Sequence, residues 1–151
     1  MMNRFLKSLI RALLSFIVRV GIPLGLLYLL PLDLISLLNG FINFRSFIYN
    51  LAFIGIIVAA FTFISTFFGS GSKASLIASL LGSIASLYYT LNLVTLGNLQ
   101  SLGLLRIPFP GFEYDIWVSI EYGIVVYMIL AASFISIVKC FVDWAGSRAE
   151  K

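Results

Sequence analysis

Four long apolar runs, separated by short connections, constrain this chain of 151 residues more than any other feature. Hydrophobic residues make up 61% of the sequence and charged residues only 11%. A soluble domain typically carries about 25% charged residues, because its surface has to be wetted. So few polar side chains cannot cover a soluble surface, and we therefore expect an all-α, polytopic integral membrane protein with a single membrane domain.

The four runs predict transmembrane helices at residues 21–40, 46–68, 74–96 and 117–142. Each is long enough to cross a hydrocarbon layer of about 30 Å. The first helix would bend at Pro31, since proline lacks the amide donor. An alternative first span begins near residue 12 and places Arg19 close to mid-membrane, where an arginine costs about 3 kcal/mol or more. The later start avoids that cost and is preferred.

Aromatic residues mark the fourth run and the segment before it. Trp117 and Trp144 are spaced as the two interfacial anchors of one transmembrane helix. Residues 97–116 contain Pro108 and Pro110, which cannot continue a helix, and several aromatic side chains. This segment is predicted to be a loop that lies at the level of the lipid headgroups.

Polar side chains occupy one stripe of the N-terminal segment. On a helical projection the stripe covers a sector of about 120° and contains Arg4, Lys7, Ser8, Arg11, Ser15 and Arg19. A basic amphipathic helix on the inner leaflet is predicted for residues 1–20, with anionic lipid contacting Arg4, Lys7, Arg11 and Arg19. A cleavable signal peptide also opens with basic residues, but Arg11 and Arg19 interrupt its apolar region. The expected organisation is this helix, a four-helix transmembrane domain at 21–144 and a cytoplasmic tail at 145–151.

Basic residues are distributed unequally between the two sides of the predicted bundle. One side holds Arg4, Lys7, Arg11, Arg19, Lys73, Lys139, Arg148 and Lys151. The other side holds only Arg45 and Arg106. Because cytoplasmic loops are enriched in lysine and arginine, we expect a multi-pass protein of the cell membrane with both termini in the cytoplasm.

Small residues recur at helical spacing in every predicted span. In lipid, close backbone approach and hydroxyl hydrogen bonds drive helix association, so these positions predict packing surfaces. They could serve the four-helix bundle itself or an interface between subunits. The residues are Gly21, Gly25, Gly55, Ala59, Ala78, Gly82, Ser86, Ser79, Ser83, Ala132 and Ser136.

Three charged residues near the outer boundary are candidates for an ion or ion-pair site. Glu121 would lie one helical turn inside Trp117, and carboxylates within a membrane usually mark a partner or a site. Asp33 follows Pro31, and Arg106 is a possible partner for Glu121 near the same level. A structural ion pair, a carboxylate that reaches headgroup water and an ion pathway are the competing interpretations.

The residue types exclude much chemistry. Histidine does not occur, and Cys140 is the single cysteine, so this chain alone holds no haem or metal through such ligands. We expect no cofactor, no nucleic-acid partner and no enzymatic activity, because no catalytic constellation can be assembled from these residues. A carboxylate-only metal site remains open.

The expected function is that of a non-catalytic structural or accessory subunit of a larger membrane assembly. Its partners would be the lipid bilayer and other membrane subunits or copies of itself. The alternative is a small oligomeric cation channel or transporter, with Glu121 or Asp33 lining the path below an acidic outer rim.

Overall fold

The computed structural model describes residues 2–69, 71–109 and 116–149. The architecture is helical, as predicted, with one two-stranded hairpin within the described residues. Four helices are long and apolar enough to cross a membrane, namely Phe5–Leu29, Phe44–Phe68, Lys73–Val94 and Gly123–Ser147.

The first of these helices differs from the predicted one. Helix α1 (Met2–Phe16) continues through a π-helical turn (Ile17–Gly21) into helix α2 (Ile22–Leu29). The π turn is closed by the Ile22 amide, which donates to the carbonyl of Ile17, five residues back. The chain leaves the helix at Leu30, whose ψ is 139°, because the residue before a proline is pushed out of the helical region.

The predicted bent span at 21–40 is therefore wrong in its boundaries. Residues 32–41 form a separate helix, α3 (Leu32–Phe41), rather than the second half of a span. Residues 5–29 form one continuous helical segment that crosses the predicted boundary at residue 20. Pro23 is accommodated in the first turn of α2, where a missing amide donor is least costly.

The second and third predicted spans are found within a few residues of their expected ends. Helix α4 (Phe44–Phe68) and helix α5 (Lys73–Val94) pack along each other as a helical hairpin. Gly69 and Gly71 have φ values of 73° and 94°, which a side chain would oppose. The Oγ atom of Ser72 then accepts a bond of 3.0 Å from the Ser75 amide and caps α5.

The fourth span begins later than predicted, because a β-hairpin precedes it. Strands β1 (Leu104–Phe109) and β2 (Ile116–Glu121) are antiparallel, with Pro108 opposite Trp117 in the register. Helix α6 (Gly123–Ala149) follows directly. Trp117 thus lies on a strand, and its expected role as the partner anchor of Trp144 on one helix is wrong. The α6 helix also includes residues 145–149, which were predicted to be a tail.

Helix α4 is central, with α1 and α5 packed along it, while α6 packs on α5. The Phe5 ring lies 6.1 Å from Phe63 and 6.3 Å from Phe67 by centroid, so the start of α1 is beside the end of α4. At the same end, a Cβ on Gly71 would be 3.2 Å from the hydroxyl of Ser147. Both ends of the described chain and the α4–α5 turn therefore share one end of the bundle.

Candidate functional site

Part of the polar stripe of α1 faces the other helices, while Lys7 and Arg11 on the same stripe are exposed. Ser8 is fully buried and Val20 is 3% exposed, whereas Leu14 and Val18 on the other side are more than half exposed. This is the reverse of a helix in a soluble protein. It is the arrangement expected when the surroundings are lipid, because polar side chains in a membrane turn toward the bundle interior.

Arg19 is held between α1 and α5 by two serine hydroxyls. Its Nη1 donates to Ser15 Oγ at 2.7 Å, and its Nη2 donates to Ser86 Oγ at 3.2 Å. The backbone carbonyl of Arg19 lies in the π-helical turn and accepts a bond of 3.2 Å from the Tyr89 hydroxyl. The side chain and the backbone of this residue are therefore both tied to α5.

Gly55 makes the approach of Arg19 possible. A Cβ atom at Gly55 would lie only 2.6 Å from the Arg19 carbonyl oxygen and 3.0 Å from its carbonyl carbon. The backbone of the π-helical turn can cross α4 this closely only because position 55 has no side chain.

Arg19 lies near the middle of the bundle. Gly55 is 11 residues from the start of α4 and 13 from its end. These separations correspond to about 16 Å and 20 Å along a helix. In a bundle that crosses a membrane, the Arg19 backbone would thus be near mid-depth. The span preferred from the sequence, which begins after Arg19, placed this arginine outside the hydrocarbon layer.

A polar groove opens beside Arg19. The cavity has a volume of about 500 Å³ and is bounded by α4, α5 and α6, with Arg19 on its wall. Most of its polar lining consists of hydroxyl groups, among them Thr62, Ser79, Ser83, Ser86, Ser133 and Ser136. No carboxylate lies among the lining residues that the structure describes. We call this cavity the Arg19 groove.

Some of these hydroxyls are occupied and others are available. Thr62 donates to the Val58 carbonyl at 2.8 Å within its own helix. The side-chain hydroxyls of Ser79, Ser133 and Ser136 form no hydrogen bond within the part of the chain that the structure describes. The groove therefore presents free donors and acceptors next to a cation.

A second cavity extends the Arg19 groove toward the end of the bundle that holds the termini. Its volume is about 340 Å³, and it shares Ser65, Ser79 and Cys140 with the first. Arg11 and Asp143 line it as well. Arg11 and Arg19, both predicted to contact anionic lipid, thus line polar cavities between helices. Lys7 is exposed, and the side chain of Arg4 lies outside the described ones.

The small residues fall into two groups. Several pack inside the chain: Ala59 and Ala78 are 7% and 4% exposed, and a Cβ on Gly82 would be 3.2 Å from the Phe61 Cβ. Gly55 belongs to the same group. These positions serve contacts between helices of one chain.

The second group faces open space. Ser79, Ser83 and Ser86 line the groove from α5, while Ala132 and Ser136 line it from α6 and are exposed. Gly21 has only its neighbour Ile17 nearby, and Gly25 has no atom within 4 Å of an added Cβ. Part of this stripe has partners within the chain, since Ser86 accepts from Arg19 and Ser83 Oγ lies 3.7 Å from Cys140 Sγ. The rest lines the open groove.

The three boundary candidates do not come together with the groove. Glu121 is exposed at the end of β2 and pairs in register with Leu104, so it is not inside a span as predicted. Asp33 is exposed in the first turn of α3. Arg106 is on β1 opposite Ser119, and its side chain lies outside the described ones.

The small-residue surfaces predicted on α5 and α6 line the groove, but the sequence interpretation assigned Arg19 to lipid and did not place it there. A signal for its position was nevertheless present. Ser8 and Ser15 alternate with the basic residues of the stripe, and small hydroxyl residues are typical of helix contacts in membranes. Within the described residues, no group of three or more histidine, cysteine, aspartate or glutamate side chains could hold a metal ion.

Comparison with known proteins identifies no relative of this chain. The sequence matches no model of a protein family, and neither the curated proteins nor the solved structures contain a significant match to it.

Proposed function

We propose that this chain is a non-catalytic accessory subunit of a membrane assembly, and that the Arg19 groove receives a transmembrane helix of a partner. The chain would cross the cell membrane four times with both termini in the cytoplasm. The observation that carries the proposal is the open groove, lined by small and hydroxyl residues, between α4, α5 and α6.

The sparse packing of α6 supports the proposal. Only 6% of its most apolar stretch is buried, compared with 33% for α4. Helices in lipid gain little from the hydrophobic effect and depend on close packing and interhelical hydrogen bonds. A helix with so few contacts of its own has a surface available for another one.

The contents of the groove support a protein occupant over lipid chains. Hydroxyl groups and a guanidinium have no hydrogen-bonding partner in hydrocarbon, and unsatisfied polar groups there cost several kcal/mol. A partner helix would cover the groove and bring its own polar atoms to the free hydroxyls. Small residues on both walls would allow its backbone to approach.

The test compares two neighbouring alanines of α6. Ala132 and Ala131 are both exposed, but only Ala132 lines the groove. Ala132→Leu should remove the partner chains that co-purify in mild detergent, whereas the matched control Ala131→Leu should retain them. The mass of the intact complex and the identities of its chains are measured by mass spectrometry. The same complex in both variants would contradict the proposal. Gly82→Leu is a poorer test, since a side chain there meets Phe61 within the chain.

A second candidate function is supported by the adjacency of the two cavities, which share three lining residues. Together they give a polar course from Arg19 to the end of the bundle that holds the termini. Its charged lining is two arginines and one aspartate, so a transport role would favour anions over the cations that an acidic rim had suggested. In liposomes that contain the purified chain, chloride flux should exceed potassium flux and should fall in Arg19→Gln. Equal flux with and without the protein would eliminate this candidate.

A further inference from the structure

We infer that the helix received by the Arg19 groove carries an aspartate or glutamate near its midpoint, which pairs with Arg19, and that it belongs to a different polypeptide. This inference rests on the proposed function. It adds the chemistry of the partner, which the groove alone does not specify.

The first argument is the charge of Arg19. An arginine near mid-depth is costly in a membrane and is generally compensated by pairing or by water. Here the guanidinium donates to the neutral hydroxyls of Ser15 and Ser86, and no carboxylate of the described chain bonds to it. A guanidinium has five N–H donors, and two hydrogen bonds leave donors available. A carboxylate matches this fork with two parallel bonds.

The second argument concerns the depth of the acidic residues. The chain has six of them, and the helices Phe5–Leu29, Phe44–Phe68 and Lys73–Val94 contain none. The fourth span-capable helix contains only Asp143, four residues before its end at Ser147. A second copy of this chain that crosses the membrane in the same way cannot supply a carboxylate at the depth of Arg19. The charge therefore has to come from another molecule.

The third argument is the surroundings of the pair. Serine hydroxyls from α5 and α6 line the same groove as Arg19 and can donate to a carboxylate that enters it. The attraction between the two charges would be stronger here than at a water-exposed surface, because less water would compete for either charge. A partner helix that packs against the small residues of the groove walls would bring its carboxylate toward Arg19.

The experiment places a photo-crosslinking amino acid at Ser133, on the α6 wall of the groove, in the full chain expressed in its own host. We expect a crosslink to a transmembrane helix of another protein that has an aspartate or glutamate in its middle third. Arg19→Gln should reduce this crosslink about tenfold, and Arg19→Lys should retain most of it. Arg45→Gln, an exposed arginine outside the groove, is the matched control and should have no effect.

If Arg19→Gln folds poorly, exchanging the two charges between Arg19 and the acidic residue of the partner provides a second test. Arg19→Glu should lose the crosslink, and replacing the acidic residue of the captured helix with lysine should restore it. If Ser133 crosslinks only to lipid or to a second copy, both the proposed partner helix and its carboxylate are refuted. If a partner helix is captured equally in Arg19→Gln, or contains no acidic residue in its middle third, the function stands and this inference is overturned.

Discussion

Gly55→Ala tests the close crossing of α1 and α4 without any knowledge of the partner. The added Cβ would lie 2.6 Å from the Arg19 carbonyl oxygen, whereas ordinary contact begins at 3.4 Å. The two backbones must therefore separate by 3.4 − 2.6 = 0.8 Å along that direction. The displaced atom is a backbone carbonyl that also accepts the Tyr89 hydrogen bond, so it cannot move away as a side chain can.

The magnitude follows from two opposing effects. Replacing glycine with alanine in a helix is favourable by up to about 1 kcal/mol when nothing obstructs it. Overpacking a close contact costs about 1–3 kcal/mol. Gly25→Ala is the matched control, because Gly25 is also helical, lies in the continuous helical segment that contains Arg19 and has no atom within 4 Å of an added Cβ. We expect the control to be neutral or slightly stabilising and Gly55→Ala to be less stable than it by about 2 kcal/mol.

The assay is reversible unfolding in mixed micelles with increasing sodium dodecyl sulfate, followed by far-ultraviolet circular dichroism. Both variants should have the same helix content before unfolding. Only Gly55→Ala should unfold at a lower detergent fraction than the wild type. Equal midpoints for Gly55→Ala and Gly25→Ala would refute the close crossing, and with it the position of Arg19 in the groove.

Two further predictions concern the turn between α4 and α5 and the arrangement of the ends. Ser72→Ala removes the N-cap of α5 and should lower the free energy of unfolding by about 1 kcal/mol, measured in the same assay; an unchanged midpoint would show that water replaces the cap. In a Cys140→Ser background, Lys73→Cys and Gln100→Cys should be labelled by an impermeant maleimide from opposite sides of the membrane, with Gln100→Cys reactive in intact cells. Labelling of both from one side would rule out the four-span topology.

Several elements could be predicted from the sequence because their causes are local. The second and third spans are long apolar runs bounded by polar or small residues, and the turn between them has glycines that adopt positive φ values. Length and composition are enough to define such helices. The bundle with both ends on one side also follows from an even number of spans.

The β-hairpin could not be recognised in this way. The sequence Ile-Trp-Val-Ser-Ile at residues 116–120 is apolar and continues directly into the apolar residues of α6, so it was interpreted as the start of that helix. Short apolar runs of this kind fit a strand or a helix equally well. Pairing with β1 decides between the two, and that pairing depends on a strand elsewhere in the sequence.

The sequence by itself predicted that most of the chain is helical, that four of its segments are apolar enough to cross a membrane and that one face of its first helix is polar. Only the tertiary structure decided which way that face turns. A polar stripe can face headgroups on a helix at the membrane surface or face other helices within the bundle, and its periodicity is identical in both cases. Gly55 and Ser86, far from Arg19 in the sequence, select the second arrangement by allowing close approach and by binding the guanidinium.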